Sequence, residues 1–140
     1  MIDIFTKKMA VIPIASKEVG PVTAGIMEGV QKLGGTWPKT LYTDEEPAIS
    51  SSGVQEFLES KGTRLITTRN HAGVAERAIR TFKNLLYPRV EASDAENPQW
   101  TDFIAQVLVT YNYKDVHRSI GMTPQEATKP SNRIDAKISM

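Results

Sequence analysis

Between Thr40 and Leu86 the chain changes its apolar periodicity three times, and that alternation restricts the fold more than any other feature of its 140 residues. Thr40-Leu-Tyr-Thr43 is a short apolar run, entered through Trp37-Pro38, and reads as a buried strand. Ser52 then offers a cap, with Gln55 three residues on, and Val54, Phe57 and Leu58 supply an inward helical face before Lys61-Gly62 stops it. Arg64 to Thr67 reads as a second strand. A long helix from about Ala72 to Leu86 follows, with Ala75, Ala78, Ile79, Phe82, Leu85 and Leu86 on one face and Pro88 closing it. Strand, helix, strand, helix in this order predicts an α/β fold whose two strands pair in parallel.

The flanks read less regularly. Met1–Phe5 and Met9–Ala15 are predicted as antiparallel strands turned by Thr6-Lys7-Lys8, with Pro13 favouring a sheet edge. Residues 21 to 33 carry Val22, Ile26, Val30 and Leu33 at helical spacing; Gly20, Gly25 and Gly29 weaken that helix and Gly34-Gly35 ends it. Asn97-Pro98 opens a further helix with Trp100, Phe103, Ile104, Val107, Leu108 and Tyr111 as its buried stripe. Thr123-Pro-Gln-Glu126 is a capping box for a short last helix, and residues 129–140 read as a polar tail or linker.

Composition narrows the functional classes. A 40% hydrophobic, 24% charged chain is an ordinary globular domain. No run of about 18 apolar residues and no secretory leader is present, so no membrane partner and no secretion are expected. The absence of cysteine excludes disulfides and any Cys-containing zinc site within these residues. The net charge is only +1, but Lys61, Arg64, Arg69, Arg77, Arg80, Lys83 and Arg89 face a single acid, Glu76, across that stretch. Glu91, Asp94, Glu96 and Asp102 then reverse the sign. A local basic surface on a neutral whole suits the reading of phosphates, although a solvated helix face gives the same pattern.

Two carboxylates stand out in this setting. Asp44 ends the Thr40–Thr43 strand, at the carboxyl edge where ligands of open sheets collect. Glu76 opens the basic helix, with Arg80 and Lys83 at i+4 and i+7 on its exposed side. The separation of 32 positions between the acids spans one helix and one strand, enough to return the chain to the same rim. Phosphoryl transfer needs an attacking oxygen, a leaving oxygen and charge neutralisation between them, which two divalent ions ~4 Å apart supply. Hard ions such as Mg2+ or Mn2+ prefer carboxylate oxygens, so neither His nor Cys is required.

From Leu41 to Ala127 the chain resembles the catalytic core of retroviral-type integrases and DDE transposases, most of all the integrases of Polinton or Maverick DNA transposons. Four blocks in order carry the resemblance: Leu41-Tyr-Thr-Asp44; His71-Ala-Gly-Val-Ala-Glu-Arg77 with Arg80-Thr-Phe-Lys83; Tyr111-Asn112; and His117-Arg-Ser-Ile-Gly-Met-Thr-Pro124. The resemblance implies a ribonuclease H-like mixed sheet flanked by helices, and a core spanning residues 1–128. It implies Mg2+- or Mn2+-dependent end processing and strand transfer of DNA, hence a nuclear location, with Asp44 and Glu76 as catalytic metal ligands. It places Arg77, Arg80, Lys83 and His71 against DNA; His71 serves equally well to order its loop. His117-Arg118 is read as structural hydrogen bonding.

The family uses three acids, the first on the opening strand of the sheet, whereas Met1-Ile-Asp-Ile-Phe-Thr-Lys-Lys8 matches the second strand. The expectation is therefore a core lacking its first strand, with Asp3 not a metal ligand and with open edges that favour a homo-oligomer. The family's separate zinc module and carboxyl-terminal module are not expected here. Glu45-Glu46-Pro47 replaces the Asn-Gly pair usual after the second acid, adding negative charge beside the metals, and the interval to Glu76 suggests a trimmed loop near Ser50 or Asn70. A non-catalytic DNA-binding or assembly remnant is the alternative. No small-molecule substrate is expected.

Overall fold

The computed structural model describes residues 1–68 and 73–132. They divide into two compact units, one formed by Met1–Val11 with Ala75–Met140 and the other by Ile12–Val74.

The second unit contains the alternation predicted from sequence. Helix α1 (Val19–Lys32) buries Val22, Ile26 and Val30, one residue per turn, against Val54 and Leu58 of α3 (Ser52–Ser60). Strands β1 (Thr40–Thr43) and β2 (Arg64–Thr67) pair in parallel, Thr40 beside Arg64 and Thr43 beside Thr67, with Leu41 and Leu65 turned onto the same core. Thr68 N–H extends the ladder by donating to the Thr43 carbonyl at 2.9 Å. The predicted stop after α3 is present: Gly62 adopts φ 74°, and Thr63 N–H donates back to the Leu58 carbonyl at 2.9 Å. The Thr63 hydroxyl also donates to the Pro38 carbonyl at 2.7 Å, tying this corner to the entry of β1. α1 survives its glycines partly because Gly25 is needed: a Cβ there would stand 2.8 Å from Ile14 Cγ2.

Two expectations change in this unit. The α3 cap is Ser51 rather than Ser52, and its hydroxyl makes no capping bond. Near Ser50, where the interval to Glu76 suggests a trimmed loop, a four-residue helix α2 (Pro47–Ser50) starts at Pro47, whose missing N–H costs nothing at a first turn.

The first unit is organised on α4 (Gly73–Glu91). Ala78, Phe82 and Leu86 form its buried stripe and meet Met9, Val107 and Tyr111. Ile79, assigned to that stripe from sequence, is 54% exposed, because helical spacing fixes its angle and not what lies opposite. Pro88 does not end the helix; α4 runs three residues further. Proline removes one ladder bond there, and the Arg89 guanidinium reinforces the turn, Nη1 donating to the Leu85 carbonyl at 2.7 Å and Nη2 to Thr110 Oγ1 at 3.1 Å.

The helix expected from Asn97 is wound in three ways: a 3-10 segment Trp100–Phe103, helix α5 (Ile104–Val109) and a π-helical turn Thr110–Lys114. It begins after Gln99, and Trp100 is 45% exposed, outside the stripe that Val107 and Tyr111 hold. Thr123 caps α6 (Pro124–Ala127) as predicted, Glu126 N–H donating to its Oγ1 at 3.2 Å, but Glu126 Oε1 accepts from the Thr123 hydroxyl at 3.1 Å instead of making the backbone return bond of a full capping box.

The antiparallel strands predicted at the amino end reduce to one bridge, Ile2 with Met9. Asp3 Oδ1 accepts from Phe5 N–H (2.8 Å) and Thr6 N–H (3.0 Å), so a tight turn forms, and Lys7 takes φ 62°. Ala10 N–H donates to Met1 O and Asp3 N–H to Lys8 O, which points the amide and carbonyl of Met9 to the other side. There Asn112 takes both: Met9 N–H donates to Asn112 Oδ1, and Asn112 Nδ2 donates to Met9 O, each at 2.9 Å. A buried side-chain amide thus closes Met9 as a neighbouring strand would.

Candidate functional site

Asp44 is the first residue after β1, and parallel pairing puts the carboxyl end of β2 beside it. β1 is anchored through Leu41, which leaves the Asp44 carboxylate exposed at the strand rim. Glu46 supplies the α2 cap position, and its carboxylate pairs with Lys17 Nζ at 3.3 Å, so part of the added negative charge is offset locally.

Glu76 lies in the first turn of α4, where the helix dipole favours a carboxylate, and is exposed. The buried Ala78, Phe82 and Leu86 on the opposite side fix its outward direction. Arg80 and Lys83 follow one and two turns later on the same exposed face, and Arg77 is exposed about 100° further round. Among the described residues none of these three cations is paired with a carboxylate, and neither Asp44 nor Glu76 takes part in an ion pair. Cations not used inside the fold are available to phosphates.

Lys7 was not singled out from sequence. It belongs to the Asp3–Lys8 turn, and its ammonium donates to the Ile4 carbonyl at 2.6 Å. Its pKa is lowered, first by desolvation and then by the Arg77 charge, against a smaller pull from Asp3. Lys7 therefore adds to the positive field beside Arg77. Only the paired lysines 7 and 8 hinted at this, since the turn and α4 are some 70 residues apart.

Other predicted residues divide as follows. His71 lies outside the described residues. Arg89, counted with the basic surface, is occupied by Leu85 and Thr110. His117 is structural, as read: Nε2–H donates to the Tyr111 carbonyl at 2.9 Å, the ring meets Tyr111 edge-on at 4.4 Å, and His117 N–H donates to Met122 O at 3.0 Å. Asp3 is committed to its turn. Asp44 belongs to the Ile12–Val74 unit and Glu76 to the other, so each half of the candidate site has its own geometry.

As donors, two exposed carboxylates outside ion pairs fit hard divalent ions such as Mg2+ or Mn2+. Among the described residues no three His, Cys, Asp or Glu side chains are grouped as a metal site, so the pair would leave most of an ion's coordination to water and phosphate oxygens. No described helix is long and apolar enough to cross a membrane.

Against solved structures, the chain has the α/β, ribonuclease H-like fold of retroviral integrase catalytic cores. The HTLV-2 integrase catalytic core, a trimeric form in complex with magnesium, matches with a TM-score of 0.74 at 26% identity over 89% of this chain and 79% of that one. The integrase of a simian T-cell lymphotropic virus intasome, in complex with the PP2A regulatory subunit B56 gamma, gives 0.78 at 21% identity, covering 89% of this chain and 45% of that one. In sequence, the chain is similar to an uncharacterized transposon-derived protein of Caenorhabditis elegans, 28% identical over 130 residues, 91% of this chain and 44% of that protein. The chain thus spans less than half the length of that relative. No family model matches.

Proposed function

We propose that this chain is the catalytic core of a DNA-transposon integrase of the Polinton or Maverick type, a metal-dependent polynucleotidyl transferase acting on element ends and target DNA in the nucleus. One observation carries the reading. In a chain with the fold of a magnesium-bound integrase core, an acid stands at the carboxyl end of β1 and another opens the basic helix α4, both exposed and neither in an ion pair among the described residues.

In this reading Asp44 and Glu76 hold Mg2+ or Mn2+, which when bound polarises the phosphodiester and lowers the pKa of an attacking water or 3′-hydroxyl. Arg80, Lys83 and Arg77 hold DNA phosphates and fix the strand against the acids, contributing salt-sensitive affinity and little sequence information. The new oxygen–phosphorus bond forms as the 3′-oxygen of the scissile bond departs and takes up a proton. Asp3 stays outside the proposed metal set, since its Oδ1 accepts from the Phe5 and Thr6 amides of its own turn. Residues 1–128 are taken as the core and 129–140 as a polar tail or linker. The active form is a homo-oligomer; the HTLV-2 cores are dimeric and trimeric forms.

The second reading, a DNA-binding remnant without catalysis, is favoured by one observation: no group of three metal-ligating side chains exists among the described residues. Mn2+-dependent disintegration of a branched DNA separates the two, comparing the chain, its Glu76→Gln variant and a version extended upstream by about 30 residues, a strand and its turn. Activity in the extended protein that Glu76→Gln abolishes supports the integrase. DNA binding with no activity in either length rejects it in favour of the remnant.

A further inference from the structure

The exposed face of α4 does not stop at Lys83. Glu76, Arg80, Lys83 and Tyr87 follow at i, i+4, i+7 and i+11, which at 100° per residue confines all four to an arc of about 60°. Ala78, Phe82 and Leu86 face the core, and Tyr87 is 54% exposed. Among the described residues its ring joins no aromatic pair and covers no cation. Four residues on, the exposed Glu91 continues the same stripe with the opposite charge, and Asp94 and Glu96 follow it. The stripe therefore reads acid, cation, cation, aromatic, acid.

We infer that Tyr87 is a stacking platform for an unpaired base of the DNA strand whose phosphates Arg80 and Lys83 hold. The inference rests on the DNA-binding reading above and not on catalysis. Charge selects the occupant: two unpaired cations precede the ring and attract a polyanion, whereas Glu91 repels phosphate and ends the track. The helix rises about 6 Å from Lys83 to Tyr87, close to two B-form nucleotide steps of about 3.4 Å, so a strand held at Lys83 brings its bases past the ring. A base within a duplex has both faces covered by its neighbours. Only a frayed or single-stranded base offers a face to an exposed tyrosine, and such stacking is tolerant of sequence.

The test is fluorescence anisotropy of the 140-residue chain on a blunt duplex and on a duplex with an unpaired tail, with Tyr87→Ala, Tyr87→Phe and Arg80→Gln. Tyr87→Ala is expected to weaken binding to the tailed DNA about tenfold, the scale of one base–aromatic stack, and to leave the blunt duplex unchanged. Tyr87→Phe keeps the ring and is expected to bind as the parent does. Equal loss on both DNAs, no loss on either, or a Phe variant as weak as the Ala variant would overturn the stacking role. If Arg80→Gln weakens both DNAs while Tyr87→Ala changes neither, the stacking inference fails and DNA binding stands; a parent chain that binds neither DNA overturns both.

Discussion

Replacing Asn112 by Ala removes the acceptor of Met9 N–H and the donor to Met9 O in one step. Both bonds are 2.9 Å, Asn112 is 3% exposed and Met9 5%. Each backbone group left unsatisfied in a buried setting costs about 1 to 3 kcal/mol. A water entering the vacated space would recover part of this, since the site is polar and has two partners for it. The expected loss is therefore about 3 kcal/mol, large against the ~5 to 15 kcal/mol of a typical domain. Asn112→Asp keeps an acceptor for Met9 N–H but turns a second oxygen toward the Met9 carbonyl. Burial raises that carboxyl's pKa, the folded state then binds its proton more tightly, and stability falls as pH rises through the folded value. Urea unfolding by circular dichroism measures the loss, and hydrogen exchange at Met9 shows whether the amino-terminal segment is released first. A loss below about 1 kcal/mol with Met9 exchange unchanged would refute the argument that Asn112 stands in for a strand.

Arg80→Gln and Lys83→Gln should each weaken DNA binding similarly on different sequences and lower the slope of log K against log salt by about 1, as for loss of one phosphate contact; a salt titration of affinity checks both. Tyr111, pushed up to about 12 by burial, should ionise later than an ordinary tyrosine in an ultraviolet titration. Because its folded pKa lies above the unfolded value near 10, its contribution to stability is complete below pH ~10 and is lost as pH rises toward 12. Unfolding midpoints measured across that range should fall, and a flat profile would count against it.

How much of this was legible depended on whether a residue's role was set nearby. β1, α3 and β2 could be read because strand and helix periods alternate cleanly and Lys61-Gly62 punctuates them; the α6 cap could be read because Thr123 and Glu126 meet within one turn. The amino-terminal strands could not, since what closes Met9 is a side chain 103 residues away. Pro88 looked like a helix end because the supporting Arg89–Thr110 bond crosses 21 residues of sequence. The π-helical turn at Thr110–Lys114 was hidden for a related reason: it accompanies the burial of two successive residues, Tyr111 and Asn112, which a 3.6-residue stripe does not anticipate. The places of Asp44, just after a strand, and of Glu76, in the first turn of a helix, were legible in the same way. Lys7 was not, because its proximity to Arg77 is created only by the fold.

The proposed function requires both Asp44 and Glu76 for divalent-metal binding. Mn2+ binding followed by electron paramagnetic resonance, in the presence of DNA, tests it most directly on the parent, Asp44→Asn and Glu76→Gln. Either substitution alone is expected to remove most of the bound Mn2+ while both proteins stay folded and still bind DNA. Unchanged Mn2+ binding in either variant would contradict it.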